Sequence, residues 1–287
     1  MADMNVWSDV SSIAQRLEKD AYFIVREEGT MLGVVESFTD GSGMNIRRGY
    51  AYNNVTMNSI GDDDDMVSQS FKPSADQDLT PAEKGAQIMI SDARMESVLP
   101  EQILNDAAKE LGYAATDLIE TDLYGDMSSL TGGTVGTAGS TITWAYVAAA
   151  ISQARVANKS KSKPLSCVMH EYQWSELAAS ASIAGASVAP APGFQEELTR
   201  NRYVAVFMGV PIYQSYQSPD SDDDFTGGVF PREAIAIDWR RLIRIRPERN
   251  ESRRGLELNM SCIYAHGIWR PDLGVVLLAD ATAPTGV

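Results

Sequence analysis

Gly209-Val-Pro-Ile-Tyr-Gln-Ser215, followed by Gly228-Val-Phe-Pro-Arg-Glu-Ala-Ile-Ala-Ile237, carries the most specific strand and turn signals in the chain. Short runs with alternating apolar positions, bounded by Gly, Pro and acidic residues, have the pattern of strands with one face in a core. Val210 to Ser215 reads as one strand and Tyr203 to Phe207 as another, joined at Met208-Gly209. The acidic loop Pro219 to Asp224 then precedes a strand through Ala234 to Ile237.

Toward the C-terminus the alternation continues through Leu242, Ile243 and Ile245, then Leu256, Leu258, Met260, Cys262, Tyr264 and Ile268, and ends in the apolar strand Gly274 to Leu278. Toward the N-terminus a short helix near Gln195 and an Ala/Pro/Gly loop, Gly185 to Gly193, are preceded by a helix over Tyr172 to Ile183 and a buried strand over Leu165 to Met169. A basic turn, Lys159 to Lys163, separates that strand from a helix over Thr141 to Asn158, entered by the capping residues Ser140 and Thr141. This alternation of strands and helices is a compact α/β unit. Leu130 to Ser140, rich in Gly and Thr, reads as the hinge-like linker ahead of it.

Upstream of the linker the pattern changes. Leu99, Ile103, Leu104, Ala107, Ala108, Leu111, Ala114, Ala115, Leu118, Ile119 and Leu123 keep an apolar stripe at helical spacing from Ser97 to Met127. At about 1.5 Å rise per residue this is a rod of roughly 45 Å, a spine for an extended body. Thr30 to Ser91 is poor in long apolar runs and rich in Gly, Asn, Asp and Ser. It reads as a two-stranded excursion, out through Met44 to Met57, around the acidic tip Asp62 to Asp65, and back through Phe71 to Ile90. An isolated ribbon is marginal in water, so this one is expected to pack on something else. Ser8 to Glu28 reads as an amphipathic helix stopped by Gly29.

Composition narrows the function. The formal charge of −15 repels phosphate, which argues against nucleic-acid recognition at physiological salt. No window approaches the roughly eighteen unbroken apolar residues of a membrane span. Met1 to Trp7 lacks the basic and apolar regions of a secretory signal, so folding in the cytosol is expected. Cys167 and Cys262 both sit in apolar strand-like runs and read as buried thiols rather than a disulfide.

The candidate chemistry is thin. His170 opens His-Glu-Tyr-Gln-Trp, but Trp174 stands where a zinc helix needs its second histidine, so a strand-to-helix corner is the better reading. His266 has no motif around it. Thr131 to Ser140 lacks the lysine of a phosphate loop. Asp220, Asp222 and Asp224 copy three calcium-loop positions, but Phe225 replaces the turn glycine and Pro231 the closing glutamate. Solvated acidic tips are expected there and at Asp62 to Asp65. Gly185-Ala-Ser187-Val-Ala189 lacks the closing glycine of a nucleophile elbow. The residues therefore nominate no catalytic, cofactor-binding or metal site, and the chain is not expected to be an enzyme.

The order of segments, with several local phrases, resembles the Hong Kong 97-type major capsid fold of tailed bacteriophages, an α+β fold. Phe71-Lys-Pro-Ser-Ala-Asp-Gln-Asp-Leu-Thr-Pro and Gly85-Ala-Gln-Ile-Met-Ile-Ser resemble the return arm of that family's extended loop. Leu165-Ser-Cys-Val-Met-His170 with Trp174 and Leu177 resembles the strand and helix after its linker. Gly209 to Ser215 and Gly228 to Ile237 resemble neighbouring strands of its axial domain, and Arg270-Pro-Asp-Leu-Gly-Val-Val-Leu-Leu278 its closing strand. The resemblance implies an N-terminal arm at 1–29 and an extended β-hairpin loop at 30–91. It also implies a peripheral domain with the spine helix at 92–134 and 239–272, and an axial α/β domain at 135–238 and 273–287.

The function so implied is structural: self-assembly as hexamers and pentamers into an icosahedral head enclosing double-stranded DNA, without sequence-specific contacts, in a virion built in the host cytoplasm. With no long segment ahead of the arm, a separate scaffolding protein is expected, besides a portal protein and possible decoration proteins; no membrane is involved. Lys72 and Lys84 are the loop lysines, but no partner for a covalent cross-link is evident, and none is expected. Two rivals remain: an encapsulin-like nanocompartment shell of the same fold, and a soluble α/β enzyme with a scattered site.

Overall fold

The computed structural model describes residues 29–52, 55–62, 65–70, 73–97, 100–159, 163–183, 204–216 and 223–283. The expected helix over Ser8 to Glu28, the Gly185 to Gly193 loop and the helix near Gln195 lie outside them. In chain order the elements are helix α1 (Met31–Val34), strands β1 (Glu36–Phe38), β2 (Arg47–Tyr52), β3 (Pro73–Leu79) and β4 (Ala82–Ser91), helices α2 (Asp92–Ser97) and α3 (Pro100–Met127), and β5 (Thr134–Gly136). Then follow α4 (Trp144–Asn158), β6 (Leu165–His170), α5 (Glu171–Ile183), β7 (Val204–Phe207), β8 (Val210–Ser215), β9 (Asp224–Pro231), β10 (Ile235–Asn250), β11 (Gly255–Ile268) and β12 (Val275–Asp280).

The hairpin turning at Met208-Gly209 is β7–β8, antiparallel with Phe207 opposite Val210. Met208 and Gly209 have φ of 51° and 75°, the two-residue turn whose twist matches its flanking strands. The hairpin lies at one end of a six-stranded mixed sheet, ordered β5-β12-β9-β6-β8-β7. Both faces of this sheet are buried. Cys167, Met169, Val229, Val275 and Leu277 share a core with Val147, Ala150, Ile151 and Ala154 of α4, whereas their neighbours Val168, Phe230 and Val276 join the core beneath α3. Helix α4 begins later than Ser140 or Thr141: Thr143 caps it, its Oγ1 accepting from the Tyr146 N–H at 3.3 Å.

The second sheet is four-stranded, β1-β10-β11-β4, and α3 lies on it. The spine is a separate helix of 28 residues, about 42 Å long, with Pro at its first position, where a missing N–H costs nothing. Ala108, Leu111, Ala115, Ile119, Leu123 and Met127 are buried against Ile245, Leu258, Met260 and Tyr264. Ala114 and Leu118, expected on the stripe, are exposed. Each precedes a buried residue by one position, about 100° around the helix.

Two expectations are corrected. The stretch Gly228 to Ile237 is not a single strand region: β9 ends at Pro231, a single 3₁₀ turn spans Arg232–Ala234, and β10 starts at Ile235 in the other sheet. The chain thus crosses between sheets at 231–235, ahead of the 238/239 boundary. The ribbon is also shorter than expected. β2 pairs with β3 from Arg47↔Leu79 to Tyr52↔Pro73, but β4 pairs with β11, from Gly255↔Ser91 to Tyr264↔Ala82. The reason is burial: Ala86, Ile88 and Ile90 alternate on one face of β4, and the core under α3 takes that face.

The ribbon base is anchored firmly. Leu79 is buried with Ala236 and Ala265, and Phe38 and Trp269 pack beside them. Gly49 lies so close to Trp269 that a Cβ would come within 2.7 Å of the indole ring. Gly49→Val is expected to cost about 1–3 kcal/mol through overpacking. A lowered denaturant midpoint with an unchanged slope is the check; an unchanged midpoint would show that the ribbon base yields freely.

Candidate assembly interface

The residues singled out for chemistry do not converge. His170 ends β6 and is buried, its Nδ1 accepting from the Tyr172 N–H at 3.1 Å, as a strand-to-helix corner requires. Trp174 is buried in the α4 core. Cys167 and Cys262 are free buried thiols in different sheets, and burial pushes them up to about 12 and about 11. Asp220 and Asp222 lie outside the described residues; Asp224 is buried and accepts from the Gly139 N–H at 2.7 Å. Lys72 is not described, and Lys84 faces Asp122 at 3.8 Å. Among the described residues no group of three or more His, Cys, Asp or Glu side chains is arranged to hold a metal ion, and no helix is long and apolar enough to cross a membrane. A cleft of about 300 Å³ at the ribbon base holds Glu36 and Glu233, each already facing a cation, Arg232 at 3.5 Å and Lys163 at 2.6 Å.

The Gly/Thr linker is not a hinge in this structure. Thr131 and Gly132 donate to Pro271 and Gly274 at 2.9 Å, and Val276 donates to Gly133 at 2.9 Å. β5 runs parallel to β12. Gly136, at φ 90°, leaves only 2.1 Å between the place of a Cβ and the Leu278 carbonyl oxygen. Glycine serves close backbone approach and a positive φ here, not mobility.

The spine carries polar groups that no motif announced. Asp126 faces His266 Nδ1 at 2.9 Å, Asp122 faces its Nε2 at 3.6 Å, and the Tyr264 hydroxyl donates to Asp122 at 2.7 Å. The Asp126 carboxylate raises the His266 pKa above its ordinary value despite partial burial. A raised histidine contributes stability that is full below the ordinary value and is lost as pH rises through the folded value. Glu120 and Tyr124, four apart on α3, are buried beside α1. Their one sequence signal is position, since each flanks the apolar stripe. The ribbon base holds a buried cluster as well: Asp238, fully buried, meets Arg47 Nε at 2.9 Å and Arg240 at 2.6 Å.

What the molecule does present is surface without a core to cover it. Beyond β2 and β3, Val55, Met57, Ile60, Met66 and Val67 are all exposed, Met57 at 100% and Met66 at 81%. The tip is closed by Gln69, which accepts from the Thr56 N–H at 3.0 Å and donates to its carbonyl at 2.6 Å. Asp62 and Asp65 are exposed beside these apolar residues. The strands of the four-stranded sheet also expose Arg244, Arg246 and Glu248 along β10, beside the apolar Leu242 and Met89, and Gln87 is bonded to Asn259 at 2.8 Å. The described residues thus offer an exposed apolar ribbon tip and a broad sheet face as contact surfaces.

No family model and no curated protein matches the sequence. Solved structures do match in fold. The chain is similar to the mature capsid of bacteriophage PhiM1 (TM-score 0.64, 15% identity, covering 89% of this chain and 88% of that one). It is similar to the capsid of the cyanophage P-SCSP1u (TM-score 0.63, 12% identity, 86% and 87%). A virus-like particle from Pyrococcus furiosus is similar too (TM-score 0.59, 9% identity, 92% and 98%). The chain therefore shares the fold of these capsid and virus-like-particle proteins, α+β in class. It is the fold of tailed-phage capsid proteins, consistent with the Hong Kong 97 type.

Proposed function

We propose that this chain is the major capsid protein of a tailed bacteriophage, assembling as hexamers and pentamers into an icosahedral head around double-stranded DNA. The observation that carries the reading is the likeness in fold to phage capsids over nearly nine-tenths of both chains. The exposed apolar ribbon tip supports it, because a patch of this kind is buried by association. On this reading the axial domain (135–238 and 273–287) is built on the six-stranded sheet with α4 and α5, its residues 235–238 running on into the other sheet as the start of β10. The peripheral domain (92–134 and 239–272) holds α3, β11 and most of β10, and β1 and β4 complete its four-stranded sheet from within the loop range. The ribbon within 30–91 is the extended loop lying over a neighbouring copy, and residues 1–29 are the arm. The role is structural rather than catalytic. The other partners are a separate scaffolding protein, a portal and decoration proteins, and the working location is the virion, after assembly in host cytoplasm.

A nanocompartment shell is the second reading, favoured by the match to the Pyrococcus furiosus particle. Expression of the full chain followed by electron microscopy tests both. Closed shells, or tubes and rings of hexamers, are expected; packaged DNA in particles from infected cells supports the phage and a packaged enzyme the compartment. A small compact particle under every condition would overturn the shell.

A further inference from the structure

We propose that Glu120 is a proton-operated latch between the spine helix α3 and the segment Thr30–Val34, closed in acid and loosened as pH rises toward neutrality. The latch sits where the arm of the sequence reading hands over to the loop. It does not depend on the shell reading, because every contact it uses lies within one chain.

The geometry is specific. Glu120 is 6% exposed, and its two carboxylate oxygens take the Met31 N–H at 2.9 and 3.2 Å. Met31, Val34 and Val35, which follow directly, are buried against the spine in the same core as Leu123 and Met127. Thr30 reaches the other sheet, its Oγ1 lying 3.5 Å from the Gln214 carbonyl oxygen at the end of β8. One carboxylate thus ties the start of the described chain to α3 at the junction of the two sheets.

Water has access to this junction. A cleft of about 190 Å³ opens beside Glu120, lined by Thr30, Tyr113, Thr116, Asp117, Tyr124 and Tyr216. Its other titratable groups are Tyr113, Asp117 and Tyr124 from α3 and Tyr216 after β8; the segment Thr30–Val34 contributes backbone amides and the Thr30 hydroxyl. No cation lines the cleft among the described residues. Burial raises the carboxyl to about 7, and the N–H groups of Met31 and Leu32 and the Tyr124 side chain offset this only in part. The same burial, with Glu120 beside it, raises the Tyr124 phenol, which stays protonated throughout.

The sign follows from linkage. When the segment lifts away, Glu120 meets water and returns to its ordinary value of 4.5, so the closed latch binds a proton more tightly than the open one. The closed state is therefore fully favoured below that value and loses its advantage as pH climbs to about 7, above which the loss levels off. The whole change is roughly 300-fold in the closing equilibrium, of which roughly 70-fold falls between pH 5 and 8. His266 shifts the same way but acts between α3 and β11, so a local probe separates the two.

Hydrogen exchange of the full chain, followed by mass spectrometry and corrected for intrinsic rates, reads the latch at the amides of Met31 and Leu32. In the wild type their protection is expected to fall roughly 70-fold from pH 5 to 8. Glu120→Gln keeps the acceptor oxygen and the shape without the titration, and should show the same high protection at both pH values. Tyr124→Phe retains the carboxyl and should keep the slope, which covers the case in which Glu120→Gln fails to fold. Flat protection in the wild type, or an undiminished slope in a folded Glu120→Gln chain, would overturn the latch. Neither result bears on whether the chain forms shells.

Discussion

Asp238→Ala is expected to lower the unfolding free energy by about 3–5 kcal/mol, the usual cost of removing one partner from a buried ion cluster. Asp238 is fully buried at the base of the ribbon and is held by Arg47 from β2 and by Arg240 from its own strand. The Arg240 side chain is itself almost wholly buried, at 6% exposure, so losing the carboxylate strands a guanidinium without its acid. Arg47 also lies over the Phe38 ring at 4.4 Å, which couples the cluster to the packing of β1 and the ribbon. Urea unfolding of both chains gives the difference. A loss below about 1 kcal/mol would mean that water enters and solvates the two arginines, as it does at exposed pairs.

The second large effect concerns assembly rather than stability. Replacing residues 55–70 by a two-residue Asn-Gly turn is expected to abolish closed particles while leaving the denaturant midpoint of the subunit nearly unchanged. Val55, Met57, Ile60, Met66 and Val67 bury little against their own chain, and the Thr56–Gln69 bonds close the tip upon itself. The fold therefore loses little with them, whereas a neighbour loses the apolar surface it would cover. Electron microscopy and sedimentation provide the readout, with thermal melting as the control. Normal shells from the shortened chain would remove the tip from the interface, and a collapsed melting point would show that it supports its own subunit.

Much of this was legible because it is local. The β7–β8 hairpin at Met208-Gly209 and most of the long α3 stripe follow from periods of two and 3.6 residues within short windows, and those periods survive any tertiary arrangement. The strand-to-helix corner at His170 was readable for the same reason, once Trp174 had excluded the zinc helix. The errors have a common origin. A glycine-rich segment reads as a hinge when its neighbour is unknown, yet Gly132 and Gly136 are where the carbonyls of Gly274 and Leu278 leave no room for a Cβ.

From the sequence alone one could read the three longest described helices, α3, α4 and α5, and most strands in their order, because side-chain periodicity and turn chemistry act over a few residues. Folding in three dimensions is what takes β4 from the ribbon to β11, carries the chain between sheets at 231–235, and makes Asp238, Glu120 and His266 groups of consequence. A charged residue in a strand or beside a helix stripe looks the same on paper whether water or a buried arginine meets it. What differs is the dielectric around it and the partner brought there by segments distant in the chain, and folding supplies both.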